Sequence, residues 1–251
     1  MTRRLWTKHE QAKALELYLR TPFGRIHSRN PEIIELAKIL GRTTGALALK
    51  MVNFAALDPT VPQKGMSNFS KSDAEIWAEF FAAPSTFIEN ISKTREQFPF
   101  DGEYDLGKNY HPDFEVREGE DVERVVKTRK NQSYFRNMLI ASYEGRCAVT
   151  GIQDIELLTA SHIKPWNDDD EARLDPRNGI LLNALHDRAF DRGMITFDED
   201  LNLIVSERLN LPSMARPFFE DRKLSRPSRF APAPGFLEYH RSKIFKGSKY
   251  A

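Results

Sequence analysis

Residues 161–191 read SHIKPWNDDDEARLDPRNGILLNALHDRAFD, and this stretch decides the fold of the C-terminal half of the chain. His162 ends an apolar run, Asn178 precedes a glycine sixteen residues later, and His186 and Asp187 lie in an amphipathic helical pattern. A histidine can take a proton from water near neutral pH, and carboxylates bind hard divalent cations. Breaking a phosphodiester requires both, because the anion repels the nucleophile and the leaving alkoxide needs stabilisation. The pattern therefore predicts phosphodiester hydrolysis.

The residues on either side of this stretch predict a small mixed arrangement of helices and strands. An amphipathic helix precedes the stretch, two strands joined by a loop lead into it, a helix closes it, and a hairpin follows. In chain order these are the helix SYFRNMLIASYEG (133–145), the strands RCAVTG (146–151) and LLTASHI (157–163), the helix from about Leu181 to Arg192, and the hairpin MITFDEDLNLIVSERL (194–209).

The order strand, strand, asparagine-containing loop and helix resembles the HNH endonuclease family and its ββα-metal core. The flanking sequences are similar to one HNH branch found in restriction-type nucleases. They are FRNMLIASYEGRCAVTG (135–151) and FDRGMITFD (190–198). This resemblance covers residues 129–250. It implies a DNA endonuclease that needs a divalent metal, foremost Mg²⁺ or Mn²⁺, with His162 as general base and Asn178 fixing the loop over it.

The metal ligands are where the sequence departs from the family pattern. Many members place Asp, Glu or His immediately before the base, and this chain has Ser161 there. Counting nine residues from Asn178 gives Asp187, where the third motif residue of the family usually falls. Helical periodicity instead puts His186 in the middle of the inward face, with Asp187 and Asp191 together at its edge. We therefore expect His186 to be catalytic and a metal ligand, with Asp187 as partner or alternative.

The single cysteine, Cys147, limits the other kinds of site. It excludes an intrachain disulfide, which suggests a reducing, cytoplasmic setting. Several HNH proteins carry paired CxxC zinc sites, but Thr150 stands where a second cysteine would be, so no structural zinc is expected. No apolar run approaches the roughly 20 residues that span a bilayer, so no membrane association is expected.

The first sixty residues predict three short helices. WTKHEQAKALELYLRT (6–21) begins at a Thr7 cap, NPEIIELAKILG (30–41) has an Asn-Pro start and a glycine stop, and TTGALALKMVNFAAL (43–57) follows after a tight turn. A helix, a short turn and a second helix are typical of a helix-turn-helix. The pattern resembles the Myb/SANT-like trihelical modules, which implies DNA contact by the third helix.

The predicted fold class is α+β, with this trihelical domain at 1–60, a helical and irregular connector at 61–122, and the HNH nuclease domain at 123–251. Three basic blocks (1–60, 124–146 and 208–251) alternate with two acidic ones, although the net charge is only +1. Basic blocks can follow a phosphate backbone, so double-stranded DNA is the expected partner. The side chains expected to contact DNA are Arg42, Thr44, Lys50, Arg129, Arg136 and Arg188.

Restriction of foreign DNA is the first interpretation, because the flanking text is similar to restriction-type enzymes. A homing or mobile-element nuclease of the same chemistry is the alternative within the enzyme class. A DNA-binding regulator with an inactive HNH core is a third hypothesis, which Ser161 keeps open. Cleavage of both strands by a chain with one active site usually needs two copies, so a homodimer is also a hypothesis.

Overall fold

The computed structural model describes residues 4–61, 68–93, 121–166 and 168–248, with residues 92–93 and 121–130 described by their backbone only. The chain forms two compact units. The first comprises Met1–Tyr104 with Ser228–Phe230, and the second comprises Asp105–Pro227 with Ala231–Ala251. Helices dominate, and the strands form two small antiparallel pairs, so the fold is α+β as predicted.

The described part of the first unit is helical. Its helices are α1 Lys8–Arg20, α2 Pro31–Ile39, α3 Thr44–Ala55, α4 Lys71–Ala82 and α5 Pro84–Lys93. The predicted start of α1 is confirmed, because the Thr7 hydroxyl accepts from the Glu10 N–H and the Glu10 carboxylate accepts from the Thr7 N–H. The apolar faces of α1 and α3 meet in the core, where Leu15, Tyr18 and Phe54 are fully buried.

Residues 228–230 belong to the first unit although they follow it by more than a hundred residues. The Arg229 side chain is fully buried, and its guanidinium donates to the carbonyl oxygens of Tyr18 (2.7 Å), Leu19 (3.2 Å) and Thr21. Carbonyls at the end of a helix have no partner within the helix, so Arg229 satisfies the C-terminal end of α1. The segment is therefore a structural part of the helical unit.

The second unit contains α6 Asp121–Ser142, β1 Leu158–His162, β2 Gly179–Asn183, α7 Ala184–Asp191, β3 Ile195–Phe197, β4 Leu203–Val205 and α8 Pro234–Tyr239. β1 pairs antiparallel with β2, with His162 opposite Gly179, and β3 pairs antiparallel with β4 in the predicted hairpin. A single turn of π-helix, His240–Ile244, follows α8.

The prediction of a strand at 146–151 is wrong, and so is the predicted helix start at Leu181. Residues 147–151 form a tight turn in which the Gly151 N–H donates to the Cys147 carbonyl, and β2 takes the place of the predicted strand. Every residue of β2 is buried, so its sequence lacks the polar alternation that marks a strand. The Asn183 side chain accepts from the N–H groups of Leu185 and His186, and α7 therefore begins at Ala184.

Gly179 is required at the entry to β2. A Cβ atom there would lie 2.5 Å from Cζ of Phe135 on α6, closer than real contacts allow. The missing side chain lets Phe135 reach across the strand pair to the residue opposite Gly179, which is His162. The glycine of the Asn-Gly pair thus serves packing at the site.

Candidate active site

His162 lies at the end of β1 with its ring held by aromatic neighbours. The Phe135 ring stacks on it at a centroid distance of 3.8 Å and an angle of 11°. The edge contact with Trp166 is at 5.2 Å and 89°. Arg173 in turn holds Trp166, because its Nε donates to the Trp166 carbonyl at 2.7 Å and its guanidinium lies over the indole. The orientation of the His162 ring is therefore fixed from two sides.

The hydrogen bond of His162 determines which ring nitrogen can act as a base. Nε2 lies 3.0 Å from the carbonyl oxygen of Arg173. A carbonyl only accepts, so Nε2 carries the proton and Nδ1 keeps the lone pair. Burial lowers the pKa of His162 to about 4, so the ring is neutral at pH 7. Among the described residues, no hydrogen bond from a protein group to Nδ1 accompanies the Nε2 contact, so the lone pair of Nδ1 is not engaged by the protein.

Asn178 braces the loop that begins at His162. Its Oδ1 accepts from the Lys164 N–H at 2.8 Å, and its Nδ2 donates to the carbonyls of Lys164 (3.1 Å) and Ala172 (3.2 Å). Its own carbonyl accepts from the Ile163 N–H at 3.0 Å. A buried amide that makes this set of bonds ties both ends of the 163–178 loop together. This placement is what the predicted loop-fixing role requires.

Ser161 precedes His162 on β1, and its side chain lies near Asp187 of α7, whose other acidic neighbour is Asp191. These three side chains are called the oxygen group below. The Ser161 side chain is buried, and its hydroxyl has no hydrogen-bond partner among the described residues. Burial, followed by repulsion from Asp191, raises the pKa of Asp187 to about 6. The Ser161 hydroxyl is close enough to offset part of this rise, although no bond of normal geometry joins the two. Burial also raises the pKa of Asp191.

His186 is buried on the inward face of α7, and protein atoms occupy both of its ring nitrogens. Nδ1 lies 3.0 Å from Oδ1 of Asn183, and Nε2 lies 2.8 Å from the carbonyl oxygen of Phe218. The ring also packs against Phe219 at 4.9 Å. Burial lowers the pKa of His186, which favours the neutral ring. A ring nitrogen would have to leave its oxygen to bind a metal, and the ligand role of His186 stays a prediction.

No group of three or more His, Cys, Asp or Glu side chains that could hold a metal lies within the described ranges. The acidic run Asp168–Glu171 is engaged locally instead. Asp169 accepts from Lys164 at 2.9 Å, and Asp168 accepts from the Tyr239 hydroxyl at 2.9 Å. The oxygen group around Ser161 combines two carboxylates with a neutral hydroxyl, whereas the run Asp168–Glu171 contains carboxylates only.

Two of the side chains predicted to contact DNA from the first unit are engaged inside that unit. The Lys50 ammonium is buried and binds Asp73 at 2.7 Å. The Arg42 guanidinium binds Glu10 at 2.7 Å and lies over the Trp6 ring at 4.5 Å. Thr44 is the first residue of α3 and is partly exposed, and its role stays a prediction.

The three predicted contacts in the second unit have different surroundings. Arg136 donates to the carbonyls of Ile155 (2.8 Å) and Leu158 (2.5 Å), so it connects α6 to the start of β1. Arg188 is exposed on α7. The Arg129 side chain lies outside the described residues.

Phe135 and Arg173 are the site residues that sequence reasoning missed. The sequence predicts an amphipathic helix at 133–145, and its pattern singles out neither Phe135 as a neighbour of His162 nor Arg173. The signal for Phe135 is Gly179, where a side chain would collide with the Phe135 ring. This signal can be interpreted only once β2 is known to pair with β1.

The comparison with known families agrees with this geometry. Residues 147–198 match a family model described as HNH endonuclease, and this range contains β1, the Asn178 loop, β2 and α7. No curated protein matches the chain. Within the described residues, no helix is long and apolar enough to cross a membrane. The chain therefore carries an HNH endonuclease domain at residues 147–198.

Proposed function

We propose that this protein is a metal-dependent DNA endonuclease of the restriction type that hydrolyses phosphodiester bonds. The observation that carries the proposal is the neutral His162 ring, whose Nε2 is held by the Arg173 carbonyl while Nδ1 has no hydrogen bond to a described protein group. A base that is fixed in its tautomer and orientation is what an attacking water needs. The restriction type rests on the similarity of the text around the motif to that branch of HNH nucleases.

His162 accepts the proton of the attacking water at Nδ1. The ring then becomes an imidazolium, and its Nε2–H bond to the Arg173 carbonyl strengthens because the donor is charged. In the protein without DNA, the low pKa of His162 is caused mainly by burial. An anionic phosphate beside the ring raises that pKa toward neutrality, since a nearby negative charge favours the protonated form. Asn178 keeps the loop above the ring closed during this transfer.

The oxygen group of Ser161, Asp187 and Asp191 fits a divalent cation. Asp187 and Asp191 supply two carboxylates whose repulsion a cation would relieve, and the unpartnered Ser161 hydroxyl supplies a neutral oxygen. All three are hard donors, which suits Mg²⁺ or Mn²⁺. Such an ion supplies polarisation of the phosphate and stabilisation of the leaving oxygen. We place Asp187 and Asp191, rather than His186, at this cation.

A nicking assay on supercoiled plasmid tests the proposal. The wild-type protein should cut with Mg²⁺ or Mn²⁺ and not with EDTA. His162→Ala should lower the rate by roughly 10²–10⁴-fold, the contribution usual for general base catalysis. Plasmid binding should stay unchanged, and a nicking rate measured well below the melting temperature of the variant separates lost chemistry from lost folding. Cleavage that persists in His162→Ala, or in EDTA, contradicts the assignment.

The restriction type has its own test. Digestion of modified and unmodified genomic DNA, followed by sequencing of the fragment ends, should show preference for defined sites and for one modification state. Dispersed ends without site preference would rule out a restriction enzyme but leave the nuclease intact. Light scattering with and without DNA tests the homodimer, which would place two active sites on the two strands.

A further inference from the structure

Most of the positive side chains in the described part of the helical unit are already neutralised. Ion pairs with carboxylates hold Arg4, Lys8, Lys13, Arg20, Arg42, Lys50 and Lys71. Arg229 is buried against backbone carbonyls. Among the other side chains described in this unit, the cations without an ion pair are Arg25, Arg29 and Lys38. Two of these three lie four residues apart in the loop between α1 and α2.

This loop, Phe23–Arg29, presents its charge on an ordered backbone. The Arg25 N–H donates to the Pro22 carbonyl at 2.8 Å, and the His27 N–H donates to the Arg25 carbonyl at 3.1 Å. The Asn30 side chain donates to the same Arg25 carbonyl at 2.9 Å. The side chains of Arg25, His27 and Arg29 are exposed. A loop held in this way loses little conformational freedom when it binds, which favours affinity.

No acidic residue in the neighbouring sequence reduces the positive charge of the loop. Between Glu16 and Glu32 the sequence contains no acidic residue, and Glu32 itself is paired with Arg20. Unpaired guanidinium groups bind phosphates through two parallel hydrogen bonds, and no existing ion pair has to break first. The loop therefore has the charge and the donors that a polyphosphate backbone requires.

We propose that the Phe23–Arg29 loop, rather than α3, is the surface by which the helical unit holds the phosphate backbone of double-stranded DNA. The choice of DNA rests on the proposed function of the HNH domain. The basic residues of α3 and of the turn before it, Lys50 and Arg42, are committed to Asp73 and Glu10. The loop supplies affinity that does not depend on base sequence, since contacts to phosphates carry no sequence information.

Fluorescence anisotropy with a labelled DNA duplex tests this inference on the full chain. EDTA in the buffer prevents cleavage, and the affinity is measured over a series of salt concentrations. The test variant is Arg25→Gln/Arg29→Gln. Lys38→Gln is the matched control, because Lys38 is also exposed and without an ion pair but lies about 10 Å along the axis of α2 from its first residue, Pro31. The melting temperatures of both variants should equal that of the wild type.

The double variant should bind more weakly, and its slope of log affinity against log salt should be shallower by about 2, as expected when two phosphate contacts are lost. Lys38→Gln should keep the wild-type slope. A double variant with wild-type affinity and slope overturns the inference, as does an equal loss in Lys38→Gln. Loop-dependent binding by a protein that never nicks plasmid would refute the nuclease and leave this surface standing. Metal-dependent nicking with loop-independent binding would do the reverse.

Discussion

The helical unit and the HNH domain treat buried charge in opposite ways. Asp73 is fully buried, and it accepts from Lys50 at 2.7 Å, from Gln11 at 2.8 Å and from the Ser70 N–H at 3.0 Å. These partners outweigh burial and lower the pKa of the Asp73 carboxyl. On α7, burial raises the pKa of Asp187 and its neighbour Asp191 adds to the rise. Asp73 has a cation as its buried partner, whereas the larger charge effect on Asp187 comes from a second anion, Asp191, and outweighs that of Arg188.

The difference separates a structural ion pair from a site that suits an external cation. A buried charge costs free energy unless the fold supplies its partners, and Lys50 with Gln11 supplies them for Asp73. An arrangement that leaves Asp187 beside Asp191 costs stability, which makes it a candidate for function. The two regions therefore differ in the sign of the charge beside the carboxylate, and not in the number of charges.

Lys50→Met should have the largest effect on stability. It leaves Asp73 buried with its cation removed, and breaking a buried pair in this way costs about 3–5 kcal/mol. Urea unfolding measures the loss as a lower free energy of unfolding. Lys71→Met is the control, because Lys71 and Glu75 are exposed and such pairs contribute about 0–1 kcal/mol. Lys50→Met/Asp73→Asn should recover much of the loss, and a double variant as unstable as the single one would contradict the argument.

Asp187→Asn should have the opposite sign in the absence of metal. The folded pKa of about 6 lies above that of the unfolded chain, so the carboxyl stabilises the fold below about pH 4 and loses this contribution as the pH rises through 6. At pH 7.5 the variant should be more stable by about 1 kcal/mol, a value reduced for the partial exposure of the group. Thermal unfolding in EDTA measures it.

Metal addition should reverse that order. Mg²⁺ or Mn²⁺ binds the folded wild type and raises its melting temperature, since a ligand of the native state stabilises it. Asp187→Asn should show little rise and no plasmid cleavage. Glu199→Gln, an exposed acid of the same domain, should behave as the wild type. An equal rise of melting temperature in wild type and Asp187→Asn would exclude Asp187 as a ligand.

The sequence predicted the elements of the site better than their contacts. The α+β class, the HNH domain and the Thr7 cap are confirmed, because each depends on a local residue pattern. β2 was missed because burial on both faces removes its alternation. Lys50 binds Asp73, and Nε2 of His186 contacts the Phe218 carbonyl. Each of these partners lies more than twenty residues away in the sequence. Contacts of that range depend on tertiary packing, which no local pattern specifies.

The buried carboxylate of Asp58 is compensated less than that of Asp73 and more than that of Asp187. Its substitution should have the smallest effect on stability. Oδ1 accepts from the N–H (2.9 Å) and hydroxyl (2.6 Å) of Thr60, whereas buried Oδ2 has no hydrogen-bond partner among the described residues. Burial raises the pKa of the Asp58 carboxyl, and the Thr60 bonds and Arg229 offset only part of that rise. The Tyr18 hydroxyl also lies near enough to lower this pKa, although no bond of normal geometry joins it to Asp58.

Because the folded pKa of Asp58 is raised, its protonated form stabilises the fold at low pH, and that contribution is lost as the pH rises above the ordinary carboxyl range. Asp58→Asn cannot ionise and keeps an oxygen for Thr60. The variant should therefore gain on the wild type between pH 4 and pH 7, by about 1 kcal/mol or less. Urea unfolding at each pH gives the difference. Parallel pH profiles for the two proteins would mean that Arg229 compensates Asp58 fully, as Lys50 does Asp73.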